Sequence, residues 1–217
     1  NIRTGWSGQG GDRGWGYGET CFGITVAPNN ANKVLFGDFG FVHKTSDGGA
    51  TWQQAYVDVA DEHPAGVNTP PKQYYHSIGM ENTTVWQVHW QDANNMFGCY
   101  SDINGTRSTD AGLTWSFDYT GHTVNSMYRI AKHITGNTMF AATSGVHDMY
   151  QSTRLQDVLL DANNKKKKII YSTNNGAAWQ LLHQFNHPVF WLATDPNNAN
   201  RMYASVIHYG GGAGQGG

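Results

Sequence analysis

The chain has 217 residues, enough for one sizeable domain, and carries 14 Lys and Arg against 16 Asp and Glu, a net charge of −2. That balance leaves no electrostatic case for nucleic acid, and no apolar stretch nears the length of a membrane span. Charged residues make up only 14%, while Gly numbers 27, Trp eight and Tyr eleven, a profile that suits a loop-rich, secreted, all-β protein.

Residues 1–20 are a Gly-rich lead-in that carries Trp6, Trp15 and Tyr17. From Phe22 the chain reads as an apolar strand, a polar turn at Pro28, and a second apolar strand beginning at Val34. The same arrangement returns from Trp86 with its turn at Asp92, in diverged form from Met127 with its turn near Ile134, and from Phe190 with its turn at Pro196. Alternation such as that over residues 85–90 favours strands over helices. Two long insertions, at about 57–77 and 145–166, interrupt the pattern. The second holds Tyr150 and ends in the only basic run, Lys165 to Lys168, whose simplest reading is a solvated loop tip. The chain closes on a Gly-rich tail from Gly210.

One short motif recurs three times. It spans Thr45, Asp47, Gly49, Thr51 and Trp52; then Ser108, Asp110, Gly112, Thr114 and Trp115; then Ser172, Asn174, Gly176, Ala178 and Trp179. Each fixed position has a turn-forming reason. Asp or Asn accepts hydrogen bonds from turn amides, Gly supplies positive φ, and the Trp buries a ring as the returning strand begins. The turn reading explains Asn174, which could not serve as an acid. The copies begin at 45, 108 and 172, yet measured from turn to turn the minimal unit is about 42 residues, the size of a four-stranded propeller blade.

This motif resembles the Asp-box of sialidases, sortilin-type receptors, photosystem assembly factors and the xyloglucanases of glycoside hydrolase family 74. The resemblance implies an all-β propeller of four-stranded antiparallel blades. On that reading residues 21–84 are a blade with an inter-blade insertion, 85–125 a second blade, 126–188 a third carrying insertion 145–166, and 189–217 the first hairpin of a fourth. Three blades and a hairpin do not close a ring, so the remaining blades are expected from the same or another chain. Asn1 is not Met, and the ends are expected to be those of a fragment or a processed product.

Blade topology puts the polar turns and the three motifs on one short-looped face. The insertions, the lead-in and the Gly tail fall on the opposite face, where a glycan or protein ligand is expected. Candidate ligand contacts there are Trp6, Trp15, Tyr17, Tyr74, Tyr75 and Tyr150; the alternative is that the rings pack the loops together. Carboxylates on the same face include Asp12, Glu19, Asp58, Asp61, Glu62, Asp148 and Asp157. Asp38 and Asp102 occupy near-equivalent positions before their motifs. The stretch from Ser101 to Arg107 is similar to the Thr-Asp-Ile-Gly-Gly-x-Tyr-Arg stretch of the family 74 xyloglucanases, in which the Asp is one of two catalytic carboxylates. Here Asn104 stands in place of the first Gly.

Two readings follow: a non-catalytic glycan- or protein-binding scaffold, extracellular or at the cell surface, or part of a xyloglucanase-like hydrolase of β-glucans with Asp102, and less directly Asp38, as a catalytic carboxylate. The three-arginine cluster of sialidases is not legible. No cofactor is implied. His183 with His187, and His147 with Asp148, make no metal set at readable spacing. Cys21 and Cys99 are expected to be buried free thiols rather than a disulfide. Asn82 and Asn104 head sequons.

Overall fold

The computed structural model describes residues 5–13, 21–38, 41–64, 66–78, 83–145 and 168–206. The chain divides into two compact units, one of residues 1–83 with 113–118 and one of residues 84–112 with 119–217. No helix among the described residues is long and apolar enough to cross a membrane. The protein is all-β, with strands gathered into antiparallel sheets of four, three, four and two.

The first unit holds one meander blade: β1 (Gly23–Ala27), β2 (Asn30–Gly37), β3 (Val42–Thr45) and β4 (Gln53–Gln54), in that order across the sheet. The β1–β2 turn is tighter than the run of Asn residues suggests. Ala27 pairs with Asn30, so Pro28 and Asn29 alone make the turn and Asn30 to Asn32 belong to the strand. Proline presets φ for a two-residue turn, and the following Asn accepts the remaining geometry. Insertion 57–77 closes on itself where Val57 pairs with Ser77, and Tyr75 pairs with Trp115 through two backbone hydrogen bonds of 3.0 Å. The core of this unit is aromatic: Trp6 lies 6.1 Å from Phe41 and 5.8 Å from Phe117, and Phe41 lies 4.7 Å from Tyr56.

The second unit holds three sheets. β5 (Val85–Trp90), β6 (Met96–Tyr100) and β7 (Gly105–Ser108) form one; β8 (Ser126–Lys132), β9 (Met139–Ser144), β10 (Lys168–Ser172) and β11 (Gln180–Gln184) form a complete four-stranded meander; β12 (Val189–Asp195) and β13 (Asn198–Val206) form a hairpin. The opening strands pack in sequence, β5 on β8 and β8 on β12. Between the last two sheets lies a core of Ala142, Ile169, Val189 and Leu192, with Phe140 and Met202 against it. Successive antiparallel meanders packed by their opening strands are the blades of a partial β-propeller.

Candidate functional site

The three motif copies fold alike. In the first, the Thr45 hydroxyl donates to Asp47 Oδ1 at 2.7 Å and accepts from Gly49 N at 3.1 Å. Thr51 donates from its amide and its hydroxyl to the two Asp47 oxygens, at 2.9 and 2.5 Å. The Thr51 side-chain and backbone bonds hold the Asp47 carboxyl well below the usual range, at about 2. In the second copy Ser108 donates to Asp110 at 2.7 Å, and in the third Ser172 donates to Asn174 Oδ1 at 2.9 Å while Ala178 N donates to the same oxygen at 2.9 Å. An amide oxygen therefore does what the carboxylate does. Gly49, Gly112 and Gly176 all have positive φ, at 94°, 87° and 78°. Trp179 is buried and lies 5.3 Å from Phe97, while Trp52 and Trp115 are half-buried. The motif turns also meet the blades' first turns: Gly48 N donates to Asn32 O, and Ala111 N to Asn94 O.

Asp38 is an interior residue. Its side chain is 1% exposed, its Oδ2 sits 3.3 Å from His43 Nε2, and its Oδ1 accepts from Phe41 N at 2.7 Å. Trp6 and Tyr75, expected as exposed stacking rings, are also interior, at 9% and 2% exposure. They are large rings in a unit with few aliphatic core residues, and packing claims them. Burial first, then the charges of Asp12 and Asp61, push the Tyr75 hydroxyl up. Tyr74 is half-buried. Asp12 accepts from Lys72 N through both oxygens, at 3.0 and 2.8 Å, and its own burial raises its carboxyl. Asp58 caps a short turn by accepting from Ala60 N, Asp61 holds His76, and Glu62 accepts from Gln54. Trp15, Tyr17, Glu19, Asn82, His147, Asp148, Tyr150 and Asp157 lie outside the described residues.

Asp102 sits in the tight β6–β7 turn with φ of 68°, and Asn104 has φ of 68° as well. Left-handed geometry at Asn104 is what the glycine of the similar xyloglucanase stretch would provide, and Asn tolerates it better than most residues. Asn125 locks the turn, accepting from Asp102 N at 3.2 Å through Oδ1 and from Asn104 N at 3.0 Å through its carbonyl. The Asn104 side chain donates to Val124 O and is buried. In the folded protein that sequon is therefore closed to modification. Cys99 is buried and free, and burial pushes its thiol up. Cys21 is free but exposed, against expectation; it stands two residues before β1, which is itself exposed along nearly its whole length. Among the described residues no group of three or more His, Cys, Asp or Glu could hold a metal.

Beside the Asp102 turn lies a feature that strand prediction missed. The pairing register of each opening strand in this unit skips one residue: Trp86 in β5, Tyr128 in β8 and Phe190 in β12. A bulge of this kind leaves the extra residue unpaired and re-aims its side chain. The three rings converge. Trp86 lies 5.3 Å from Tyr128 and 5.3 Å from Phe190, and Tyr128 lies 5.2 Å from Phe190. Trp86 Nε1 donates to Ser101 Oγ at 2.8 Å, which ties the cluster to the turn that carries Asp102. Tyr128 is buried, while Trp86 and Phe190 are partly exposed. Arg129 and Trp191 directly follow the bulged Tyr128 and Phe190; the Arg129 guanidinium stacks on the Trp191 ring at 4.2 Å, and that ring is 47% exposed. All of these residues stand where the opening strands begin. The repeat alignment could have found the cluster, except that it matched Met127 rather than Tyr128 to Trp86 and Phe190.

A concavity of about 640 Å³ lies on one face of β1–β4. Thr25, Leu35, Lys44 and Gln53 line it, with neither a ring nor a carboxylate.

No protein-family model matches the chain, and no curated protein matches it in sequence. Among solved structures it is similar to an ancestral GH74 enzyme, with 15% identity over 84% of this chain and 28% of the other, at a TM-score of 0.39. It is also similar to YCF48 bound to D1 peptide, with 10% identity over 88% of this chain and 64% of the other, at a TM-score of 0.34. YCF48 from Cyanidioschyzon merolae gives 12% identity over 88% of this chain and 66% of the other, at a TM-score of 0.34. The chain spans just over a quarter of the first of these proteins and somewhat under two thirds of the other two.

Proposed function

We propose that this chain is an extracellular, non-catalytic binding module of the Asp-box propeller kind, which takes a glycan at the ring cluster where β5, β8 and β12 begin. The observation that carries this reading is the triplet of bulges. Three blades independently spend a bulge to deliver Trp86, Tyr128 and Phe190 to one spot, and two of the rings keep exposed surface. Bulges weaken pairing locally and are common beside binding and active sites. Partly exposed rings suit the apolar C–H faces of sugars, and they sit on rigid strands rather than on loops.

The carboxylates favour binding over hydrolysis. An inverting glycosidase sets two carboxyl groups roughly 6.5–9.5 Å apart across the sugar. Asp38 is buried against His43, and the motif residues Asp47, Asp110 and Asn174 are spent on turns. Asp102 keeps the hydrolase reading open, because its left-handed turn is joined to the ring cluster through Ser101. The test is saccharide binding and polysaccharide hydrolysis by the wild type, Trp86→Ala and Asp102→Asn. Binding lost in Trp86→Ala, with no hydrolysis by any form, supports the module. Hydrolysis by the wild type that disappears in Asp102→Asn establishes the enzyme instead.

A further inference from the structure

We infer that the ring cluster selects an acidic sugar, a uronate-type residue whose carboxylate is held by Arg129; this rests on the glycan-binding reading above. Arg129 is half-buried and stands on β8 directly after the bulged Tyr128. Its guanidinium is stacked on Trp191, and its Nε is buried without a hydrogen-bond partner. Among the described residues no carboxylate pairs with it, so its positive charge rests on the Trp191 ring, one residue along β8 from the bulged Tyr128. An unpaired, partly desolvated guanidinium is costly. A planar carboxylate matches the guanidinium fork through two parallel bonds, and stacking on an indole leaves the fork's edge free to make them.

A sugar acid fits better than a peptide carboxylate. An extended peptide would add as a strand and needs free backbone groups on an inner edge. At Ile130, two residues on from the bulged Tyr128, those groups are taken. Gln87 Oε1 accepts from Ile130 N at 2.7 Å and its Nε2 donates to Ile130 O at 3.2 Å, so β8 is clasped by a side chain from β5. The partly exposed ring faces and the guanidinium are what a sugar ring with a carboxylate matches. The chain's net charge of −2 means the attraction is local, and it is expected to survive moderate salt better than a diffuse basic surface would.

The probes are oligogalacturonate, its fully methyl-esterified form and a neutral cello-oligosaccharide, titrated against the whole chain by calorimetry and Trp fluorescence. A free-carboxylate tripeptide serves as competitor. Oligogalacturonate is expected to bind at least tenfold more tightly than its ester. Arg129→Gln is expected to abolish that preference, with Arg129→Lys intermediate. Equal binding of acid and ester, or an unchanged preference in Arg129→Gln, overturns the inference and leaves the glycan reading standing. Displacement of the acid by the tripeptide at equal concentration also overturns it, in favour of a peptide carboxylate. If none of the saccharides binds, the glycan reading itself has failed. The acid-to-ester comparison on the wild type needs no variant, so a poorly folding Arg129→Gln does not rescue the idea.

Discussion

At the scale of single residues, the repeated motif works through an oxygen acceptor rather than through an acid. Asn174 receives Ser172 and the Ala178 amide on one amide oxygen, as Asp47 receives Thr45 and Thr51. Asn174→Ala removes both bonds and is expected to cost about 1 kcal/mol, a fall in Tm of about 3 °C, whereas Asn174→Asp should be tolerated. Thermal melts of the two variants check this. Asp47 adds a pH dependence that Asn174 cannot have. Its folded pKa is depressed from 3.8 to about 2, so the stabilising contribution is present above pH ~4 and is lost as pH falls toward ~2. Melts of wild type and Asp47→Asn should therefore differ most near neutral pH and converge near pH 2. The two thiols separate by burial. Cys21 is exposed and Cys99 buried, so a thiol reagent should modify one cysteine in the native protein and two in denaturant.

At the scale of elements, the bulged opening strands hold to one another through side chains. Gln87 satisfies both backbone groups of Ile130. Gln87→Ala leaves the amide of the buried Ile130 unsatisfied and should cost about 1–3 kcal/mol. Gln87→Glu should be no better, since a carboxylate cannot donate to the Ile130 carbonyl. Urea unfolding of both variants measures this, and a wild-type midpoint in Gln87→Ala would remove the clasp from the account. Strand positions and the motif turns were legible because alternation and turn chemistry are local. The bulges were not, because a skipped residue shows only in the pairing between strands; Tyr128 looks like any strand residue until Met127 is seen paired with Thr143 and Arg129 with Ala142. The burial of Trp6 and Tyr75 was hidden for the same reason. A ring in a Gly-rich lead-in or an insertion reads as exposed, and only tertiary packing against Phe41 and Phe117, or pairing with Trp115, shows otherwise. The Asp102 turn was half legible: the similar stretch pointed to it, while the lock from Asn125 lies beyond it in the chain and could not be read.

At the scale of the molecule, the sheets differ in how completely each is covered, and this has a measurable consequence. β9 is paired on both sides, and it is buried except at Phe140. Among the described residues β1 and β13 are each paired on one side, and both are exposed along nearly their whole length. β13 has nine residues, and on its partner β12 Trp191 is also exposed. A bare strand edge exchanges its outward amides quickly and invites pairing, whereas a central strand opens only when the fold does. Hydrogen exchange on this chain should therefore show protection in β9 close to the global unfolding free energy, with alternate amides of β1 and β13 exchanging fast. Peptide-resolved exchange at several protein concentrations distinguishes the outcomes. Fast outward amides at all concentrations mean that both edges are open and available to further blades. Protection of β13 that rises with concentration means that a second copy covers the edge. Protection as high as that of β9 at every concentration would contradict an open edge and place a covering strand from within the same chain.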